Sequence, residues 1–249
     1  MKKRQKNISN LLSHRQVFRL KGDTMSRIRI FTGHFGSGKT EIAINYAINL
    51  AKAGRKVALV DLDIVNPYFC VRDLKKELTE NYGIKVIASN PEFVNAELMV
   101  VPAEVRSVFN DKEFDVVFDV GGDDVGAIAL GQYNRYFRDE PYDMYFVVNL
   151  NRPLTATDKG TVEFLREIET SSRLKVTKLV SNTNLSFETK PEDIIRGDKE
   201  ISNLSKELGI PHKFTCCSEE IKSLVEGKVE GELFPIHIYM LPPWRKDSI

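Results

Sequence analysis

The chain has 249 residues, 42% hydrophobic and 29% charged, with a formal net charge of +1. That composition supplies a buried core and a solvated surface, and it excludes a chain that is mainly disordered. Three cysteines exclude a disulfide-stapled miniature fold, and no apolar run approaches the ~20 residues that would span a bilayer. No apolar stretch near the start reads as a signal peptide, so a cytoplasmic location with reduced thiols is expected.

Charge is unevenly placed. Residues 1–24 carry a surplus of six positive charges, leaving −5 for the rest. This stretch reads as a basic, disordered extension, and residues 25–249 read as a single domain. The mildly acidic body offers no clear nucleic-acid or membrane site.

From Ile28 onward, short apolar runs alternate with longer amphipathic ones. The first strand is expected over Ile28–Thr32, and Gly33-His34-Phe35-Gly36-Ser37-Gly38-Lys39-Thr40 follows it directly. This run fits G-x-x-x-x-G-K-[ST] in full, between an expected strand and an expected helix over Lys39–Ala53. Gly33, Gly36 and Gly38 let the backbone wrap closely and reach positive φ. The loop amides and the helix N-terminus then face an anion. Lys39 brings a cation to the β- and γ-phosphates, and the Thr40 hydroxyl can ligate Mg²⁺. Gly33 to Thr40, with Glu41 beside them, form the expected nucleotide-binding run.

The second strand, Val57–Asp61, leads into Asp61-Leu62-Asp63. Carboxyl ends of parallel strands face the ligand, so both acids are expected near the phosphates. One would support the Mg²⁺ hydration shell and the other would orient an attacking water. A helix over Tyr68–Tyr82, a strand over Lys85–Ala88 and a helix over Asn95–Phe109 come next. The strand Val116–Val120 has Walker B character, an apolar run in which Asp119 can hold the Mg²⁺ water shell. Gly121 and Gly122 allow a backbone amide to approach the γ-phosphate.

A helix over Val125–Arg138, a strand over Met144–Asn149, a helix over Thr155–Thr170 and a strand over Val176–Ser181 continue the alternation. Asn182 follows at a strand end, where its amide can meet a purine edge. A guanine-reading N-K-x-D is not present, because Thr183 follows Asn182 and Leu185 stands where Asp would. ATP is therefore expected over GTP. A helix over Pro191–Leu208 and a strand over Lys213–Thr215 complete about seven strands. Phe234–Met240 reads as an extended segment, and the prolines after it forbid a long terminal helix. Continuously apolar strands alternating with helices point to an α/β fold, a mostly parallel sheet with helices on both faces.

Together, Gly33–Thr40, Val60-Asp61-Leu62-Asp63, Phe118-Asp119-Val120-Gly121-Gly122 and Leu179-Val180-Ser181-Asn182 resemble the deviant Walker A ATPases of the MinD, ParA, Mrp and nitrogenase iron protein kind, in the SIMIBI class of P-loop NTPases. The likeness covers nearly all of residues 27–225. It implies a P-loop NTPase sheet, Mg-ATP binding, slow hydrolysis and use as a switch or carrier for a partner protein or cofactor. It also implies an ATP-linked homodimer. By the same resemblance Asp63 positions the water, Asp61 supports magnesium, Asp119 does the Walker B work and Asn182 meets adenine. The family places a signature lysine and a glycine where His34 and Phe35 stand here. Cys70, Cys216 and Cys217 form no C-x-x-C, which disfavours an iron–sulfur branch. Two other readings use the same loop. One is a small-molecule kinase or ATP-dependent ligase, with an acceptor pocket near Asn66–Phe69 or Asn90–Phe93. The other is a nucleotide-binding module with little hydrolysis.

Overall fold

A computed structural model describes residues 26–63, 70–88 and 104–240. The expectations for residues 1–24, for Asn66–Phe69 and Asn90–Phe93, and for the prolines after Met240 lie outside the described residues.

The described strands are β1 (Ile28–Thr32), β2 (Lys56–Leu62), β3 (Lys85–Ala88), β4 (Phe114–Val120), β5 (Tyr142–Val148), β6 (Lys178–Ser181), β7 (His212–Ser218) and β8 (Glu232–Ile236). They form one eight-stranded sheet in the order β3-β2-β4-β1-β5-β6-β7-β8. All pairings are parallel. The sheet thus has one strand more than expected and is parallel throughout. The added strand, β8, comes from the extended tail segment. Pro235 is tolerated there because β8 lies at the sheet edge, where a missing N–H breaks no ladder.

The described helices are α1 (Lys39–Lys52), α2 (Lys75–Tyr82), α3 (Val105–Asn110), α4 (Asp124–Gly131), α5 (Asn134–Arg138), α6 (Asp158–Ser172), α7 (Pro191–Leu208) and α8 (Lys222–Val225). The single helix expected over Val125–Arg138 is two. Helix α4 ends at Gly131, where a side chain would come within 3.0 Å of the Ser171 carbonyl oxygen of α6. That close approach fixes the pair and turns the chain before α5. The expected helix over Tyr68–Tyr82 is described only from a 3₁₀ turn at Val71–Leu74, which leads into α2. Helix α7 keeps the bounds its sequence announces, with Pro191 in its first turn and Gly209 at φ 67° after its end.

The strands are buried on both faces because each face has its own core. Ile28, Ile30, Phe118 and Phe146 pack with Leu130 of α4, Leu165 of α6 and Ile201 of α7. Phe31, Tyr145 and Val147 point the other way, onto Ile42, Ile44 and Tyr46 of α1. Burial of this kind, at about 25 cal/mol per Å² of apolar surface, is the main force holding the layers. β1 sits between β4 and β5, so the loop that follows it opens at the centre of the sheet's carboxyl edge. Among the described residues no helix is long and apolar enough to cross a membrane.

Candidate functional site

The loop after β1 turns through Gly33, Gly36 and Gly38, with φ of 143°, 75° and 88°. Gly38 is the N-cap of α1, and no side chain caps that helix end. Its first-turn amides are therefore left for an anion. A side chain at Gly38 would strike the Asn182 amide nitrogen at 2.3 Å. Asn182, at the end of β6, is buried and donates its Nδ2–H to the Ser37 carbonyl oxygen at 2.7 Å. The loop is thus tied from behind by the residue expected to meet the base.

Lys39 opens α1 and is 5% exposed. Burial lowers its pKa, while Asp119, Asp63 and Asp123 act to raise it. Its Nζ reaches the His34 carbonyl oxygen at 3.4 Å. Asp61 and Asp119 are direct partners across β2 and β4. Burial raises both carboxyl pKa values; the mutual proximity of the acids adds to this for Asp61, and Lys39 and the Thr40 hydroxyl oppose it at Asp119. Asp119 Oδ1 is buried with no hydrogen-bond partner among the described residues. Asp61 Oδ1 accepts from the Asp63 amide at 3.0 Å, closing the turn that brings Asp63 to the cleft.

The cleft has a volume of about 330 Å³, within the range of ligand sites. Phe35, Gly36, Gly38, Lys39, Thr40, Glu41, Asp63 and Asn182 line it. Gly33, His34, Ser37, Asp61, Asp119 and Gly121 do not line it, but stand behind or beside it. Gly121 packs against Gly126 of α4, and a side chain on it would come within 3.2 Å of Asp63 Oδ1. His34 turns away, its ring edge-on to Phe164 of α6 at 5.1 Å. No cluster of three or more His, Cys, Asp or Glu that could hold a metal exists among the described residues. The donor set fits magnesium nonetheless. Mg²⁺ keeps several waters and takes one or two protein ligands plus phosphate oxygens, and the unpartnered Asp119 oxygen beside Thr40 suits that role.

Two parts of the site escaped sequence reasoning. The far wall is built by Ile194, Cys216, Cys217 and Ile221 together with Ile236, Ile238 and Met240. The tail is strapped to α1: Asn45 donates to the His237 carbonyl and accepts from its amide, both at 2.8 Å. Glu41 accepts from the Tyr239 amide at 3.0 Å and the Met240 amide at 2.6 Å. Burial pushes the Glu41 carboxyl up to about 7, against the pull of these two amides. The second is Arg152, after β5, which also lines the cleft. Its place just past the carboxyl end of a central strand is the signal that could have found it. Nothing in the sequence points to the tail.

Residues 28–207 match the family model described as the CobQ/CobB/MinD/ParA nucleotide binding domain. A curated relative, the signal recognition particle 54 kDa protein of Pyrobaculum calidifontis, is 24% identical over 190 residues, which is 66% of this chain and 43% of that protein. The chain therefore spans less than half the length of this relative. The cell division protein ftsY of Thermotoga maritima superposes with a TM-score of 0.53 at 20% identity, covering 84% of this chain and 67% of that one. A nucleotide-binding protein of Archaeoglobus fulgidus, solved in complex with ADP, gives 0.50 at 20% identity, covering 88% and 90%. The signal recognition particle 54 kDa protein of Aeropyrum pernix, in complex with GDP, gives 0.51 at 16% identity over 84% and 45%.

Proposed function

The chain belongs to the CobQ/CobB/MinD/ParA nucleotide-binding domain family, within the SIMIBI class of P-loop NTPases, and from that premise we propose that it is a Mg-ATP-dependent ATPase acting as a switch or carrier for a partner protein or cofactor. The observation that carries this reading is the uncapped start of α1, with Lys39 buried at its first position and the Asp119 oxygen unpartnered behind it. Residues 25–249 act as one nucleotide-binding domain, working in the cytoplasm.

Each residue then has a task. The amides of Gly33 to Thr40 and the N-terminus of α1 hold the polyphosphate. Lys39 stabilises charge developing on the transferred phosphoryl group. Thr40, Asp61 and Asp119 hold magnesium and its waters. Magnesium, when bound, neutralises charge between phosphate oxygens. Asp63 orients the attacking water, and the Gly121 region reports the γ-phosphate to α4, against which it is packed. Asn182 supports adenine over guanine. One of its two N–H groups is used on Ser37, and its carbonyl oxygen can accept from the exocyclic amine of adenine, while the N-K-x-D run that would read guanine is not present here.

Calorimetric titration with Mg-ATP and Mg-GTP tests this. Wild type binds Mg-ATP in preference, and Lys39→Ala weakens it by at least about 100-fold. Tighter Mg-GTP binding would overturn the base assignment, and no binding of either nucleotide would overturn the function. A second reading, a nucleotide-dependent module with little turnover, draws support from His34. Its ring packs on Phe164 outside the cleft and brings no signature lysine. Phosphate release below the detection limit while Mg-ATP binds would favour it.

A further inference from the structure

The charge of the cleft is incomplete for the ligand just proposed. A magnesium-bound nucleoside triphosphate keeps a net charge of about −2. Among the described residues, the charged side chains lining the cleft are Lys39, Arg152, Glu41 and Asp63. Lys39 is already shared among Asp119, Asp63 and Asp123. That leaves Arg152 as the cation facing the opening.

Its position is built rather than incidental. Arg152 Nε donates to the Gly36 carbonyl oxygen at 3.0 Å, bridging 116 residues of sequence. Gly36 leaves room for it, since a side chain there would lie 2.9 Å from Arg152 Nε. The backbone beneath is pinned by Asn149, which is wholly buried. The Asn149 carbonyl accepts from the Arg152 amide at 3.1 Å and from the Thr155 hydroxyl at 2.7 Å. Asn149 Oδ1 accepts from the amides of Asn151 and Asn184 at 3.0 and 3.2 Å. Arg196 of α7 donates to Asn151 Oδ1 at 2.5 Å. A pinned loop holds the guanidinium on the rim of the phosphate loop, with its two NH₂ groups beyond the one bond that Nε makes. A positive charge held at that rim suits a phosphate.

We propose that Arg152 is a second phosphate-binding cation of this site, supplied within the same chain, and that it sets affinity for the polyphosphate of the nucleotide. The inference rests on the nucleotide-binding reading above. The position after the first loop glycine brings no such charge, because His34 lies against Phe164 and outside the cleft. Arg152 carries the charge instead, from the opposite side of the loop.

Calorimetric titration with Mg-ATP tests the assignment in wild type, Arg152→Ala, Arg152→Gln, Arg152→Lys and Lys39→Ala. Arg152→Ala and Arg152→Gln are expected to weaken Mg-ATP about tenfold, with the melting temperature unchanged within about 2 °C. Arg152→Lys keeps the charge and is expected to stay within about threefold of wild type. The difference between wild type and Arg152→Ala shrinks in 0.5 M salt, as screening of an exposed charge requires. Unchanged affinity in Arg152→Ala, or a loss that Arg152→Lys does not restore, overturns the proposal. The second result would mean that the planar group stacks on the base or only shapes the loop. If Lys39→Ala abolishes binding while Arg152→Ala does not alter it, only this proposal falls. If Lys39→Ala binds like wild type, the nucleotide reading falls with it.

Discussion

Asp115 and Asp119 stand four residues apart on β4, and each is 1% exposed. Their surroundings are opposite. At the amino end of the strand, Asp115 Oδ1 takes Arg29 Nη1 at 2.6 Å and Oδ2 takes Arg55 Nε at 2.5 Å. At the carboxyl end, Asp119 Oδ1 has no partner among the described residues, and burial raises its carboxyl pKa. One carboxylate is consumed in holding β1, β2 and β4 together. The other is kept in a low-dielectric place where a cation would be strongly favoured. Burial of an acid therefore says little about its role; what matters is whether its oxygens are satisfied.

The largest expected effect tests the paired end. Asp115→Asn leaves Arg29, itself 2% exposed, without its counter-charge. Removing one partner of a buried pair costs about 3–5 kcal/mol, read as a lower midpoint in urea. A loss under about 1 kcal/mol would break the comparison. Asp119→Asn should show the reverse. The substitution removes a poorly solvated charge but also takes from buried Lys39 its main counter-charge, so stability falls by less than in Asp115→Asn, while the proposed nucleotide hydrolysis falls about 100-fold. A variant that hydrolyses normally would overturn the magnesium role proposed for Asp119.

A third buried acid sharpens the contrast with a smaller effect. Asp198 of α7 is satisfied by neutral donors: the Thr215 hydroxyl at 2.6 Å, the Glu230 amide at 2.7 Å and the Gly231 amide at 3.1 Å. His212 lies beside it, with Nδ1 4.0 Å from Oδ1. Burial lowers the His212 pKa, although Asp198 and Glu230 pull the other way. The unfolded chain then binds a proton at a higher pH than the folded one. The contribution of His212 is full above the unfolded value of about 6.5 and is lost as pH falls toward the folded value. Stability of wild type minus His212→Asn should therefore decline between pH 7 and pH 5.5, by less than about 1 kcal/mol. A difference that grows as pH falls would show that Asp198 pairs with a charged ring.

The candidate site was legible where its chemistry is local. The phosphate loop is eight consecutive residues, and Asp61 and Asp119 betray themselves as acids within apolar strands. Asp63 was found by the same reasoning, and the structure brings it to the cleft. Arg152 and the tail were not found, because their contacts join segments 116 and 192 residues apart. Asn182 was found, but its bond to Ser37 was not, since that bond depends on the loop's path over β6. The break between α4 and α5 was missed for a similar reason. The helical pattern runs on in sequence, while the close approach of α6 stops it at Gly131.

The sequence by itself determined the alternation of strands and helices, the phosphate loop and the acids at strand ends. Those follow from side-chain periodicity and from spacing within single segments, where a few neighbouring residues carry the whole effect. Only the tertiary structure decided that β4 inserts between β2 and β1, which puts Asp61 across from Asp119 and gives Asp115 its two arginines. It also decided that an edge strand and its tail would wall the cleft. Hydrogen bonds and charge pairs are shared among several distant segments, so which polar atoms end satisfied, and which are left for a ligand, is settled only once all of them are packed.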